Sequence, residues 1–185
     1  MALTENRDVP LGTPCPDFRL PTVDGGTVAR DELAAKPILL VMFICNHCPY
    51  VQAVEDRLVA LAREYEGREV EVVGICSNDP TDYPDDHPKR LLARWREKRF
   101  GFPYGVDESQ DVARAFGAVC TPEFFLYGPD RTLVYHGRLD DNWKEPARVT
   151  RHELAEALDA LLAGRSPARE QAPAMGCSIK WRRAS

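Results

Sequence analysis

The sequence predicts an α/β fold, a sandwich whose mixed central sheet is flanked by helices, and three observations carry that expectation. Residues Ile38-Leu39-Leu40-Val41-Met42-Phe43-Ile44 are apolar at every position, the mark of a strand covered on both faces. Val51, Val54, Leu58, Leu61 and Tyr65 then recur at spacings of three and four, which places them on one face of a helix that Gly67 would stop. Val70 to Cys76 is a second buried strand, rich in β-branched residues. Strand, helix, strand in that order implies a right-handed crossover and a parallel pair.

The other elements follow along the chain. Residues 1–16 are polar, hold three of the fifteen prolines and read as an extended arm. Phe18-Arg19-Leu20, Asp24-Gly25-Gly26 and Thr27-Val28 form a β-hairpin pattern with a Gly-rich turn, an N-terminal β-hairpin extension of the fold. Asn78 to Pro88 carries four Asp and three Pro, which predicts a mobile loop. A helix follows from Lys89 to about Lys98, burying Leu91, Leu92 and Trp95. A shorter one has Ser109 as N-cap, Val112 and Phe116 inward and Gly117 at its end. Phe124–Tyr127 and Thr132–His136 pair as an antiparallel hairpin across Gly128-Pro129-Asp130. The last helix opens on a Thr150–Glu153 capping box, buries Leu154, Ala157, Leu158 and Leu161, and closes at Gly164. The chain thus divides into an arm (1–16), a domain (17–164) and a tail (165–185) that is Pro- and Ala-rich over 165–175.

The bulk numbers suit one ordinary domain. The chain has 185 residues, 44% of them hydrophobic and 29% charged, with a net charge of −5. A mildly acidic protein with interspersed charges offers no general attraction for nucleic acid or anionic lipid, and neither is an expected partner. The first thirty residues hold no apolar stretch of signal-peptide length. The longest apolar run, Ile38 to Cys45, is far short of the roughly 20 residues that span a bilayer. The expected location is the cytoplasm. There, six irregularly spaced cysteines suggest chemistry rather than a disulfide framework.

The chemistry is expected at Cys45-Asn46-His47-Cys48, where the central strand gives way to the first long helix. A helix N-terminus carries about half a positive charge and unpaired N–H groups, and both favour a thiolate. Two cysteines separated by two residues can close a small disulfide, and either thiolate can attack a substrate disulfide. His47 would stabilise the reduced form, making the couple more oxidising. Pro49 suits the first helical position and makes Cys48 the N-cap, just behind Cys45. The dipole alone favours a Cys48 thiolate, but which sulfur attacks first stays open. Structural zinc would need two more ligands. His87, Cys120 and Cys177 are candidates to converge, but there is no second close Cys or Cys/His pair, so no metal or cofactor is expected.

In these residues the chain resembles the thioredoxin superfamily, and within it a peroxiredoxin-like redoxin branch marked by Asn-His-Cys-Pro-Tyr, here residues 46–50. Cys120-Thr121-Pro122-Glu123-Phe124-Phe125, Leu139-Asp140-Asp141-Asn142-Trp143 and Gly176-Cys177-Ser178-Ile179-Lys180-Trp181 also resemble that branch, over roughly residues 10–182. The resemblance implies a thioredoxin-like fold for 17–164 and a cis Thr121-Pro122 bond facing the cysteine pair, with Thr121 free to pair with substrate backbone. True peroxiredoxins carry Pro-x-x-x-Thr-x-x-Cys and a later arginine. Here Val41, Cys45 and Pro122 occupy those places, so the groups that would polarise a peroxide are missing.

The expected activity is therefore dithiol–disulfide exchange at Cys45 and Cys48, with a protein or small-molecule disulfide as substrate and a thiol electron donor. The alternatives are a thiol peroxidase with Cys48 as the oxidised cysteine, and a non-enzymatic redox sensor or binding module. Cys120, two residues before Pro122, is either a third redox thiol or a small buried residue. Cys177 is either a resolving thiol that swings in or, the preferred expectation, a packed residue of a tail docked through Ile179 and Trp181. Cys76 and Cys15 are expected to be inert and incidental. Asp140, Asp141 and Trp143 either border the site or form a solvated turn, and His87 and His136 are expected at the surface.

Overall fold

The computed structural model describes residues 3–183; the first two residues of the arm and the last two of the tail lie outside it. In chain order the elements are β1 (Leu3–Glu5), β2 (Arg19–Pro21), β3 (Thr27–Ala29), β4 (Ile38–Phe43), α1 (Pro49–Glu64), β5 (Val70–Cys76) and α2 (Pro88–Lys98). They continue as β6 (Tyr104–Val106), α3 (Asp111–Phe116), β7 (Cys120–Thr121), β8 (Glu123–Tyr127), β9 (Leu133–Gly137), α4 (Glu153–Leu162) and β10 (Met175–Ser178).

Five strands form the central sheet in the order β6-β5-β4-β8-β9. β4 pairs in parallel with β5 and antiparallel with β8, so the expected mixed sheet is present with its most apolar strand in the middle. The alternation of β4 separates two cores. Leu40 and Met42 meet Val54 and Leu58 of α1 and Leu154 and Leu158 of α4. Leu39, Val41 and Phe43 point the other way, to Phe18, Leu33, Phe116 and Phe125. Phe43 stands edge-on to Phe116 and Phe125, with ring centroids 5.4 and 5.7 Å away. Such pairs contribute about 0.5–1.5 kcal/mol each beyond their buried area.

The β2–β3 hairpin falls where expected, Arg19 opposite Ala29. The tail is more ordered than its composition suggests. β10 lies between β1 and β7 in a second, three-stranded sheet, with Leu3 opposite Cys177 on one side and Thr121 opposite Cys177 on the other. Arm and tail therefore meet each other and the domain edge at the strand leading into Pro122.

Four local expectations are corrected. α3 has Gln110, not Ser109, as its N-cap, although the Ser109 hydroxyl still accepts the Asp111 N–H, and Gly117 closes it in the left-handed conformation. The Thr150–Glu153 capping box does not form, because each residue has a stronger partner. Thr150 bonds the Asp141 carboxylate, Glu153 pairs with Arg138 at 2.5 Å, and His152 is the N-cap. His136 is buried rather than superficial, stacked on Phe125 and 2.8 Å from Glu123. Within α2 only Leu91 is fully buried, while Leu92 and Trp95 are half-covered.

Candidate active site

β4 ends at Phe43, and the chain turns through Cys45, Asn46 and His47 into α1, whose first residue is Pro49 and whose N-cap is Cys48. Proline has no N–H to lose at that position, so the helix starts there without cost. The turn is held from both sides. Ile44 N–H donates to Ile75 of β5, and its carbonyl accepts the Tyr104 hydroxyl at 3.2 Å. From the other side comes Asp86, which is 2% exposed. Its Oδ1 accepts the N–H groups of Asn46 (2.7 Å) and His47 (3.1 Å), and its Oδ2 meets His47 Nδ1 (2.5 Å) and Asn78 Nδ2 (2.8 Å).

Thr121 faces the pair. Its hydroxyl lies 3.2 Å from Cys45 Sγ, and its carbonyl oxygen lies 3.1 Å from Cys48 Sγ, accepting from it when Cys48 is a thiol. The Thr121–Pro122 bond is cis, as the resemblance implies. Both sulfurs are covered: Cys45 is 2% and Cys48 0% exposed. The helix start is thus closed over by Thr121, β10 and the Asp86 loop.

The two thiols are chemically unequal. Cys48 is lowered to about 5, first because Cys45 S–H donates to it, then because the Cys177 thiol and the backbone N–H groups of Val51 and Cys177 do the same, against the opposing effect of burial. Cys45 is raised well above its usual range by burial, by that same hydrogen bond and by the Asp86 charge. These hydrogen bonds favour the thiolate form at Cys48 and disfavour it at Cys45.

Every other site residue expected from sequence can be placed. Asn46 and His47 form the turn; His47 packs on Tyr83 with ring centroids 4.5 Å apart, and its buried Nε2 has no hydrogen-bond partner among the described residues. Cys177 is buried against Cys48. Cys120 points away, its Sγ 3.5 Å from buried Glu123, and burial and that carboxylate push its thiol up. Cys76 and Cys15 are buried and raised by that burial. The Leu139–Trp143 loop does border the site. Trp143 stacks near Tyr50, ring centroids 4.4 Å apart, and together with Val54, Pro122, Phe124, Leu139 and Met175 it walls a cavity of about 280 Å³. Arg57 holds this loop through Asp140 and through the carbonyls of Asn142 (3.1 Å) and Trp143 (2.8 Å). His87 is exposed and caps α2.

Cys45, His47 and Asp86 are the one group among the described residues whose donor atoms lie close enough to share a metal ion, all within 4.8 Å. The Asp86 oxygens already accept four hydrogen bonds, about all that a carboxylate has room for, so a cation would have to displace them.

Sequence reasoning missed Asp86, Asn78, Arg57 and Glu123. The loop holding Asp86 is rich in Asp, and nothing local separates the one that turns inward from its solvated neighbours.

The AhpC/TSA family model matches residues 11–136. Over whole chains the fold is similar to an uncharacterized conserved protein from Geobacillus kaustophilus, 40% identical with a TM-score of 0.94, covering 100% of this chain and 99% of that one. A hypothetical protein from Sinorhizobium meliloti 1021 is also 40% identical, with a TM-score of 0.92 and 98% and 100% coverage. A thioredoxin-family thiol:disulfide interchange protein from Chlorobium tepidum TLS, 20% identical with a TM-score of 0.58 over 70% and 87% of the chains, shares the thioredoxin-like fold. No curated protein matches the sequence.

Proposed function

This chain belongs to the AhpC/TSA family, and from that premise we propose that it is a thiol–disulfide oxidoreductase in which Cys48 attacks and Cys45 resolves. The observation that carries the reading is the asymmetric pair itself. Two sulfurs at a strand-to-helix turn both touch Thr121, and one thiol donates its proton to the other sulfur. Cys48 thiolate attacks one sulfur of a substrate disulfide, the substrate S–S bond breaks, and the first substrate thiolate leaves with the bonding pair. Cys45, deprotonated as that thiolate takes up its proton, attacks Cys48 Sγ and releases the second substrate sulfur as a thiolate, which leaves with the bonding pair and is protonated by solvent. The substrate gains two electrons and the protein is left with a Cys45–Cys48 disulfide, which a thiol donor reduces again. Because both sulfurs are covered, reaction requires a local movement that uncovers Cys48.

A second reading has one observation in its favour: a low-pKa cysteine at a helix start, in this family, also suits attack on a peroxide. Against it stand Val41, Cys45 and Pro122, none of which can bind and polarise an O–O bond. Two rates on the reduced protein separate the readings: turnover of a small disulfide with dithiothreitol as donor, and thiol loss to stoichiometric hydrogen peroxide at neutral pH. The expected result is disulfide turnover abolished by Cys48→Ser, with a peroxide rate no better than that of a small free thiol. A peroxide rate orders of magnitude faster, abolished by Cys48→Ser alone, makes the protein a peroxidase instead.

A further inference from the structure

We propose that Cys177 is a third redox thiol of this site, forming a Cys48–Cys177 disulfide in alternation with the Cys45–Cys48 one. The proposal rests on the oxidoreductase reading of the pair. Strand register carries it. Side chains of directly opposed residues in an antiparallel pair lie on the same face, and successive residues lie on opposite faces. Cys177 is opposite Thr121, and Ser178 is opposite Cys120. Thr121 presents its hydroxyl to Cys45, so Cys177 projects toward the pair while Cys120 projects away, to Glu123. Cys45, Cys48 and Cys177 accordingly share one buried cluster, all 2% exposed or less.

The backbone is shaped to bring β10 this close. A Cβ at Gly176 would lie 1.9 Å from the Thr121 carbonyl oxygen, the atom that accepts from Cys48 Sγ. Only a residue without a side chain lets the strand carrying Cys177 approach there. Cys177 then hydrogen-bonds Cys48 through both its thiol and its backbone N–H.

The step balances without an outside reagent. Once Cys48 is joined to a substrate sulfur, Cys177 Sγ attacks Cys48 Sγ and the bond to the substrate breaks. The substrate sulfur leaves with the bonding pair and takes up the proton from Cys177. Cys45 can later attack Cys48 Sγ and return Cys177 to the thiol, an exchange with no net transfer of electrons. With Cys45 and Cys177 both hydrogen-bonded to it, Cys48 has two resolving partners, and the oxidised protein can store its disulfide across the α1 start or across to β10.

The experiment uses dithiobis-nitrobenzoate, one equivalent on each reduced full-length variant under native conditions. Cys45→Ser is expected to release two thionitrobenzoates per protein and to keep an intramolecular disulfide that peptide mapping places at Cys48–Cys177. Cys45→Ser with Cys177→Ser should release one and hold the other on Cys48, while Cys45→Ser with Cys120→Ser should behave as Cys45→Ser alone. If Cys45→Ser stops at one release with the adduct on Cys48, or if its disulfide uses Cys120, the proposal is overturned and the oxidoreductase reading survives. If Cys48 takes no label in any variant, both fall. Should Cys45→Ser fail to fold, acid-trapped mapping of the oxidised wild type decides: a Cys48–Cys177 peptide beside the Cys45–Cys48 one supports the proposal, and its complete absence overturns it.

Discussion

Asp86 Oδ2 lies 2.5 Å from His47 Nδ1 while Asp86 Oδ1 accepts the N–H groups of Asn46 and His47, so one buried carboxylate sets the shape of the turn that carries both sulfurs. Asn is nearly the same size but brings an NH2 group where the second oxygen was. In Asp86→Asn that group faces either the backbone donors or Asn78, and at least one buried donor loses its acceptor. The expected loss is about 2–4 kcal/mol in denaturant unfolding, or a Tm lower by roughly 4–15 °C for a chain of this size. An unchanged Tm would show that the turn holds its own shape.

The acidity of Cys48 gives a titration with a definite sign. Its pKa falls on folding, from 9.0 to about 5, so its ionisation contributes stability that is fully present above about pH 9 and is lost as pH falls through 5. Ultraviolet absorbance of the reduced protein should show one thiolate disappearing with a midpoint near 5, and Cys48→Ser should remove that step. In Cys45→Ala the leading donor to the thiolate is gone. A hydrogen bond to a charged group is worth about 1.5–3 kcal/mol, so the midpoint should rise by about one to two units. A wild-type midpoint near that of an ordinary cysteine would sink the asymmetry.

How much of this was legible beforehand depends on whether the signal is local. β4, α1 and β5 announce themselves because apolar runs and helical spacing reflect burial by neighbours on every side. Pro49 likewise fixes where α1 begins, and with it Cys48 as the N-cap. Asp86 and Glu123 were not legible, since a carboxylate buried by long-range hydrogen bonds looks in sequence like a solvated one. The strand within the tail was missed for the opposite reason. Met175–Ser178 is short and contains glycine, poor credentials for a strand, yet β1 and β7 supply its hydrogen bonds from both sides. The Thr150–Glu153 box is a local signal that tertiary partners overrode: Asp141 and Arg138 offered each residue a charge-assisted bond.

Gly176→Ala tests the close approach of β10 directly. The added carbon would meet backbone rather than a flexible side chain, so the strand itself has to move. Forcing an extra carbon into a packed site typically costs about 1–3 kcal/mol, and rigid backbone on the far side puts this case at the upper end. Cys177 would be carried away from Cys48, and the Cys48 titration midpoint should rise because the donors from Cys177 weaken. Unfolding curves and the thiolate titration read the two effects separately. A variant as stable as wild type with an unmoved midpoint would mean that β10 does not press on Thr121.

Arg57 is the support of the loop that walls the cavity beside Pro122, and its loss should have a signature in pH. Its guanidinium bonds Asp140 and two loop carbonyls, and the Asp140 side chain is only 2% exposed. Burial already raises the Asp140 pKa against the pull of Arg57. Arg57→Ala would leave that carboxylate buried without its cation, which typically costs about 3–5 kcal/mol when the charge stays in place. The pKa of Asp140 must then rise further, and protonation relieves the buried charge. A group whose folded pKa is raised stabilises the fold below its unfolded pKa and loses that contribution as pH rises through the folded one. The destabilisation of Arg57→Ala relative to wild type should therefore be largest near neutral pH and shrink towards about pH 4. Arg57→Lys keeps the charge but not the planar fork that spans Asp140 and both carbonyls, so it should recover stability more fully than it recovers loop order. Unfolding of both variants at several pH values, with hydrogen exchange of the 139–143 amides, measures the two parts. A loss for Arg57→Ala that does not change with pH would mean that Asp140 is not the group that Arg57 neutralises.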